Sequence, residues 1–403
     1  MSASTIPLQE VLDSARSGEE LPGEAASVFV DASGSSLNEL CHAAAQIRDM
    51  GKGKTVTFSP KVFIPLTRLC RDFCSYCTFR QDPGEAGERL YMTPEEVLEV
   101  AQAGQRLGCT EALFTLGERP EARYPEAKEW LAIRGYRTTL EYLTAMCKLV
   151  VEETSLLPHA NPGTMSRQDM AALRPYNPSM GLMLESTSES PRLYEEGGPH
   201  EFAPSKRPRV RLRTIEIAGE LGVPFTTGLL IGIGETRMER IDALLAIQKL
   251  HAAHGHIQEV IIQNFRAKPD TPMKDAPDAT SDELLWTVAV ARLIMGQDMN
   301  IQVPPNLNSD DYQAYIGAGI NDWGGVSPLT IDYVNPEAPW PGLAQLRERT
   351  GAEGHELRPR LPIYPEYFLE TDRYLDPSIT DQVESLVDHK GYVKGGIQRY
   401  AGQ

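Results

Sequence analysis

The chain has 403 residues, of which 41% are hydrophobic and 24% are charged, an ordinary composition for a soluble globular enzyme. Lys and Arg number 39 against 56 Asp and Glu, so the net charge is -17, which argues against a nucleic acid or an anionic membrane as the main partner. The first residues lack the basic and apolar regions of a signal peptide, and no apolar run approaches the ~20 residues of a membrane span. We therefore expect a cytoplasmic protein that binds neither nucleic acid nor membrane.

The first predicted element is a helix. Leu37, Leu40, Ala44 and Ile47 recur at three- and four-residue spacing, so residues 1–55 are predicted to form a helical N-terminal extension. Strands and helices then alternate. The predicted strands cover residues 62–66, 112–115, 156–158, 180–184, 224–231 and 259–262. The predicted helices begin near residues 93, 138, 166, 205, 235 and 281.

This alternation predicts the fold class. Six strand–helix units in order favour a parallel sheet with helical crossovers, and we expect an α/β fold in which residues 56–300 form a partial TIM-type (β/α)6 barrel. In such barrels the chemistry gathers at the carboxyl ends of the strands. Residues 301–403 are predicted to close the mouth of the barrel and to contribute to the substrate pocket.

Three closely spaced cysteines follow the first predicted strand. Cys70, Cys74 and Cys77 have the spacing C-x3-C-x2-C, and Tyr76 precedes the last of them. Iron–sulfur clusters are usually held by four Cys thiolates, so a local set of three leaves one iron open. Structural zinc also takes closely spaced cysteines, but it almost always has four ligands, and Cys41, Cys109 and Cys147 are scattered singly. A disulfide with a spare thiol is the remaining alternative, and it suits an exported chain better.

The cysteine stretch resembles the radical S-adenosylmethionine (SAM) superfamily. The resemblance implies a [4Fe–4S] cluster on the three cysteines, with SAM bound to the fourth iron through its amine and carboxylate. It also implies SAM contacts from residues at the strand ends: Gly117 and Glu118 to the ammonium, Glu185 to the ribose, Arg211 to the carboxylate, and Gly228, Ile231 and Gly232 to the adenine. Tyr76 is expected to contact adenine through its backbone. Each of these has an ordinary alternative as a turn glycine, a helix cap or part of a solvated basic face.

Longer stretches narrow the resemblance. Residues 63–80, 113–121, 319–328 and 332–340 closely resemble the family of the first subunit of deazaflavin (FO) synthase, and the likeness extends over about residues 55–370. It implies cyclisation of a 4-hydroxybenzyl adduct of a ribityl-bearing amino-dihydrouracil to 7,8-didemethyl-8-hydroxy-5-deazariboflavin (FO), with loss of ammonia, on the route to coenzyme F(420). The implied partners are a sister radical SAM subunit, which makes the adduct, and a low-potential electron donor.

Polar residues near the predicted mouth are candidates for holding that substrate. Amide side chains can pair with both donor and acceptor edges of a uracil ring. The candidates are His159, Asn161, Gln263, Asn264, Asn306, Asn308 and Asn321. Asp322 is the candidate proton acceptor and, with Tyr76, a candidate catalytic residue. Any of them could instead form a turn or a helix cap.

Two alternatives of different kinds stay open. One is a related radical SAM enzyme, either of the futalosine route to menaquinone or of the adduct-forming kind. The other is a non-enzymatic iron–sulfur or zinc module, which would have no need of Glu185, Arg211 and Gly228. SAM binding would separate the second alternative from an enzyme.

Overall fold

Nine parallel strands form one sheet in the computed structural model, which describes residues 7–18, 21, 23–87, 89–308 and 310–400. The strands are β1 Thr55–Thr67, β2 Glu111–Leu116, β3 Leu157–Asn161, β4 Ser179–Gly181, β5 Phe225–Ile231, β6 Ile257–Asn264, β7 Ile301–Gln302, β8 Asp322–Val326 and β9 Glu356–Pro359. The predicted strands all fall on or beside β1 to β6. The parallel α/β fold of TIM type is therefore confirmed.

The strands close into a ring. The order is β2-β3-β4-β5-β6-β7-β8-β1, and β1 pairs with β2 as well, so eight strands form a barrel. The predicted six-stranded partial barrel is not confirmed. The two strands that complete the ring are β7, which has only two residues, and β8, whose Trp323-Gly324-Gly325 centre has no alternating pattern. Such short or glycine-rich strands carry no periodic signal in a sequence.

The first strand, β1, is long enough to pair with three other strands. Its first residues, Thr55 to Phe58, pair with β9, its middle pairs with β8, and Lys61 to Thr67 pair with β2. β9 therefore lies outside the closed ring, against the amino end of β1.

Helices cover the outside of the barrel. They are α1 Leu8–Arg16, α2 Gly23–Ala26, α3 Ser35–Lys52, α4 Pro83–Ala86, α5 Pro94–Arg106, α6 Pro125–Ile133, α7 Thr139–Glu153, α8 Arg167–Leu173, α9 Pro191–Tyr194, α10 Pro208–Glu220, α11 Arg237–His254, α12 Ser281–Met295, α13 Leu343–Ala352, α14 Pro365–Phe368, α15 Thr371–Tyr374 and α16 Pro377–Leu386. Thr93, Ser166 and Thr236 cap the barrel helices that follow them, each in a reciprocal capping box. No helix in the described ranges is both long and apolar enough to span a membrane.

The N-terminal helices are attached to the barrel. α3 packs on α12, and the indole nitrogen of Trp286 donates to the carbonyl of Phe29 over 2.7 Å. One hydrophobic cluster extends from Val11 through the barrel helices to Tyr400. The division of the chain at residues 55 and 300 stays a prediction.

Candidate active site

The three cysteines lie on the loop that leaves the carboxyl end of β1. All three are free thiols of intermediate exposure. The loop is tied on one side to the end of β2, where the backbone N–H of Glu118 donates to the Sγ of Cys70 over 3.2 Å. On the other side the N–H of Phe73 donates to the carbonyl of Phe202 over 2.9 Å. The loop is therefore fixed between two neighbouring segments.

Two of these thiols have raised pKa values. Burial, with the nearby charge of Asp72, raises the pKa of Cys70 to about 12, and burial raises the pKa of Cys74 as well. Thiolates are the metal-binding form, so metal binding at this loop must displace protons.

The arrangement fits a cluster better than a single ion. Among the described residues, no three His, Cys, Asp or Glu side chains are placed to hold one metal ion. A single zinc ion would draw its sulfurs to about 2.3 Å from one point. An iron–sulfur cluster takes each thiolate on a different iron, so its three cysteines need not converge on one point.

A cavity of about 250 Å³ opens beside the triad at the carboxyl ends of the strands. The predicted site residues that line it are Cys70, Cys74, Tyr76, Cys77, Gly117, Glu118, Asn161, Glu185, Arg211 and Gln263. Asn161 and Gln263 lie in β3 and β6, and Arg211 lies in α10. The others lie in the loops that follow β1 and β2 and, for Glu185, in the segment after β4. The structure therefore brings most of the predicted cluster and SAM residues to one place.

Glu185 is the best-connected acid in this cavity. Its Oε2 accepts from the Tyr76 hydroxyl over 2.8 Å and lies 3.2 Å from Nε2 of His200, while Oε1 accepts from the ammonium of Lys206. Burial opposes ionisation, but Lys206 and Arg211 outweigh it and hold the pKa of Glu185 well below its usual range. The carboxylate is thus an ionised acceptor in a buried site. Its φ of +67° is unusual for a residue other than glycine, and such backbone strain clusters at functional sites.

Arg211 offers an unused donor. Its Nε donates to the carbonyl of Ser205 over 3.1 Å, and its Nη1 donates to the carbonyl of Met183. No described residue accepts a hydrogen bond from its Nη2. Burial alone would lower the pKa of Arg211, but Glu185 and Glu118 raise it, so the guanidinium stays charged. An anion in the cavity would find a buried cation with a free N–H.

Comparison with known proteins places this site in a family. The radical SAM superfamily model matches residues 64–247. The 7,8-didemethyl-8-hydroxy-5-deazariboflavin synthase of Methanopyrus kandleri is 54% identical over 339 residues, which are 84% of this chain and 100% of that protein. This chain belongs to the deazariboflavin synthase family of radical SAM proteins.

Longer relatives match as well. The FO synthase of Streptomyces avermitilis is 52% identical over 390 residues, 94% of this chain but only 45% of that protein. The FO synthase of Mycobacterium tuberculosis is 51% identical over 401 residues. The chain spans about half the length of these FO synthases, 45% and 47% respectively.

Solved structures support the fold alone. The [FeFe]-hydrogenase maturase HydG superposes with a TM-score of 0.71 at 15% identity, covering 95% of this chain and 81% of HydG. Methylornithine synthase (PylB) superposes with a TM-score of 0.65 at 18% identity, covering 86% of this chain and 97% of PylB.

Some predicted SAM residues lie beside the cavity without lining it. Ile231 is fully buried against the helices, because alternate residues of a strand point to opposite faces, and Leu230 faces the cavity instead. The N–H of Gly232 is occupied by Glu235 over 2.8 Å. Gly228 accepts from the N–H of Glu185 over 2.8 Å through its carbonyl. An adenine contact from Gly228, Ile231 or Gly232 stays a prediction.

The predicted amides do not all reach the cavity. Asn264 and Asn308 bond to each other, with Nδ2 of Asn308 donating to Oδ1 of Asn264 over 2.9 Å. Asn306 donates to Asp332 and to the carbonyl of Ala338, each over 3.1 Å. His159 is buried within β3, two residues below Asn161.

Asp322 and Asn321 lie at the opposite end of the barrel from the triad. Asp322 begins β8, where it pairs with Thr57 near the amino end of β1, and its carboxylate accepts from Arg360 over 2.7 and 2.9 Å. Asn321 is held by Arg292 and Asn300. The predicted roles of proton acceptor and substrate ligand therefore find no support in their positions. The stretch 319–328 contains β8, which completes the closed ring of strands.

Sequence reasoning missed Lys206 and His200. Lys206 opens a run of basic residues that reads as a solvated face, and His200 ends a turn, so neither carries a periodic signal. Tyr76 was expected to act through its backbone, whereas its hydroxyl joins Glu185 and lies 2.9 Å from Nε2 of His200. Only the fold brings these three segments together.

Proposed function

We propose that this protein is a radical SAM enzyme that cyclises the 4-hydroxybenzyl adduct of a ribityl-bearing amino-dihydrouracil to FO. Ammonia is released, and the product serves coenzyme F(420) biosynthesis. The observation that carries the proposal is the 54% identity over the full length of the Methanopyrus kandleri deazariboflavin synthase. The cysteine triad beside a polar cavity supports it.

Different residues of the chain hold the cluster and the cosubstrate SAM in this proposal. Cys70, Cys74 and Cys77 hold a [4Fe–4S] cluster, Glu185 accepts from the ribose hydroxyls of SAM, and Arg211 donates from Nη2 to its carboxylate. When bound, the cluster and SAM supply reductive cleavage of SAM and abstraction of a hydrogen atom from the substrate. Ionised Glu185 suits two hydroxyl donors, since a carboxylate only accepts hydrogen bonds. Lys206 holds that carboxylate in place.

Glu118 keeps in this proposal the part that the resemblance implies, a contact to the SAM ammonium. Its carboxylate accepts from the N–H of Thr164 over 2.9 Å and from the Thr164 hydroxyl over 2.5 Å. Its remaining acceptor capacity can serve the SAM ammonium. Its N–H stabilises the thiolate form of Cys70.

Asn161 and Gln263 face the same cavity from β3 and β6. Each amide has donors and an acceptor, so the pair can fix the orientation of a uracil ring. The sister subunit that makes the adduct, a low-potential electron donor and a cytoplasmic location complete the proposal.

The test is anaerobic reconstitution. The cluster is rebuilt on the purified chain, reductant, SAM and the chemically defined adduct are added, and the fluorescence of FO is followed alongside 5′-deoxyadenosine. We expect fluorescence that depends on SAM. Deoxyadenosine without fluorescence would reject the substrate and keep the radical chemistry.

Two cysteine variants make matched controls. Cys74→Ala should abolish deoxyadenosine formation and lower the iron content, whereas Cys41→Ala, outside the loop, should leave both unchanged. Deoxyadenosine formation by Cys74→Ala would reject the assignment of the triad.

A further inference from the structure

The interior of the barrel lies directly below the cavity beside the triad. Thr115, Asn161 and Gln263 line the cavity at the ends of β2, β3 and β6. Residues two positions apart on a strand share a face, so Leu113, His159 and Ile261 occupy the next layer of the interior. They lie below the residues assigned to SAM and uracil.

That layer is not filled. Leu113, Ile261 and Gly325 are only half-buried, although a closed ring of strands surrounds them. Their exposed surface must therefore face space inside the barrel. We call this space the inner chamber, bounded by Phe63, Leu113, Ile261 and Gly325. Phe63 forms an aromatic wall and stacks on Trp340 with ring centroids 5.2 Å apart.

The floor of the inner chamber is charged. Lys61 forms an ion pair of 2.8 Å with Glu111, and the Ser59 hydroxyl also donates to that carboxylate. The Lys61 side chain keeps 11% of its surface exposed, against 1% for Glu111, so the cation is the partner that faces the space. A side chain at Gly325 would overlap the Lys61 stem, so this glycine makes room for it. Barrels of this type usually fill their interior with branched aliphatic residues.

His159 supplies an acceptor beside this donor. Its Nδ1 lies 2.7 Å from the Ser179 hydroxyl, which donates its own hydrogen to the carbonyl of Pro362 over 2.7 Å. A hydroxyl has one hydrogen, so Nδ1 must carry the proton and Nε2 must be an acceptor. Nε2 has no hydrogen-bond partner in the described part of the chain. Burial lowers the pKa of His159 to about 4, so the ring stays neutral at pH 7.

We propose that the inner chamber binds the ribityl chain of the substrate, with Lys61 Nζ donating to one hydroxyl and His159 Nε2 accepting from another. This inference rests on the proposed function and identifies the part of the site that binds the sugar-alcohol chain. Each hydroxyl of a polyol both donates and accepts, which matches a donor and an acceptor on one floor. Glu111 already balances the charge of Lys61, so an anionic group would be left uncompensated there and a neutral polyol fits.

The experiment compares two substrates in three proteins. One substrate carries the complete ribityl chain and the other carries a hydroxyethyl group in its place. The proteins are the wild type, Lys61→Met/Glu111→Gln, which removes the ion pair without leaving a lone buried charge, and Lys52→Met/Glu366→Gln. The last pair has the same 2.8 Å separation but lies outside the barrel, where it serves as the control. KM, kcat and the inhibition constant of each substrate's unreactive analogue are measured.

In the wild type and the control, KM should be at least about tenfold lower for the complete substrate than for the truncated one. This is the ratio that one lost hydrogen bond to a charged group produces. The Lys61→Met/Glu111→Gln variant should lose most of that preference while it keeps the kcat for the truncated substrate. A merely structural role would weaken both substrates alike, and that result would overturn the proposal. Should the double variant fail to fold, His159→Leu carries the same comparison.

The proposed function fails in a different way. No FO from the wild type with the complete substrate, while deoxyadenosine still forms, would reject the proposed reaction and the ribityl assignment with it. FO from the wild type with no preference between the two substrates would reject the inner chamber alone.

Discussion

The backbone N–H of Glu118 donates to the Sγ of Cys70 over 3.2 Å, and Gly117 makes this contact possible. A Cβ at Gly117 would overlap the carbonyl oxygen of Leu69 and crowd Cys70. β2 can therefore end against the cysteine loop only with a glycine at this position.

Gly117→Ala should consequently push the loop away from β2. We expect a loss of about 1–3 kcal/mol in the free energy of unfolding from overpacking, and a several-fold fall in iron bound per chain after reconstitution. Urea unfolding and iron analysis measure the two effects. Gly351→Ala is the matched control, because a Cβ there meets nothing and the residue lies in helix α13. Full iron content in Gly117→Ala would show that the contact does not place Cys70.

Glu185→Gln should weaken SAM binding. The change keeps the shape of the side chain but removes the charge that Lys206 and Arg211 surround. An amide also offers one acceptor atom in place of two. We expect the Kd for SAM to rise about tenfold or more, since one charge-assisted hydrogen bond is lost. Calorimetry on the reconstituted protein measures it. The control is Glu216→Gln, at a partly exposed residue of α10 that pairs with Arg213. An unchanged Kd would remove Glu185 from the SAM site.

The sequence predicted the elements whose signals are local. The helix starts after Thr93 and Ser166 follow from capping residues and the periodic apolar residues behind them, and both are confirmed. The predicted helix start near residue 281 agrees with the first residue of α12, Ser281. The strands that precede Glu118 and Glu185 are also predictable, because buried parallel strands form short apolar runs, although β4 ends at Gly181 and not at the predicted residue 184.

What the sequence could not show depends on contacts between distant segments. Lys206 and His200 join Glu185 only because the segment before α10 folds over the end of β4. The position of Asp322 depends on distant contacts in the same way. It belongs to a distinctive stretch, yet its partners Thr57 and Arg360 come from distant parts of the chain and hold it at the amino end of the barrel.

His256 should make the fold less stable in mild acid. Burial lowers its pKa from near 6.5 to about 3, and its Nε2 lies 2.9 Å from the carbonyl of Ile215. Below about pH 6.5 the His256 side chain binds a proton in the unfolded chain but not in the native chain. The unfolding free energy therefore falls as the pH falls toward 3. Buried His159 adds to the same slope.

Urea unfolding of the reduced, metal-free chain between pH 7 and 5 tests this. His256→Phe should flatten the slope by at most about 1.4 kcal/mol per pH unit, the contribution of one proton. The same slope in wild type and variant would mean that His256 titrates alike in both states.

Asp322→Asn should separate a structural from a catalytic role for this residue. Asp322 is fully buried, and Arg360 pairs with it and with Glu259, which lies 3.1 Å from the same guanidinium. Removing the Asp322 charge breaks a buried pair, so we expect the unfolding free energy to fall by about 3–5 kcal/mol. FO formed per folded molecule should stay near the wild-type value, because the carboxylate lies at the far end of the barrel from the cysteines. Exposed Asp242→Asn controls for loss of a surface charge.

An Asp322→Asn protein that unfolds like the wild type but no longer makes FO would instead establish Asp322 as part of the catalytic machinery.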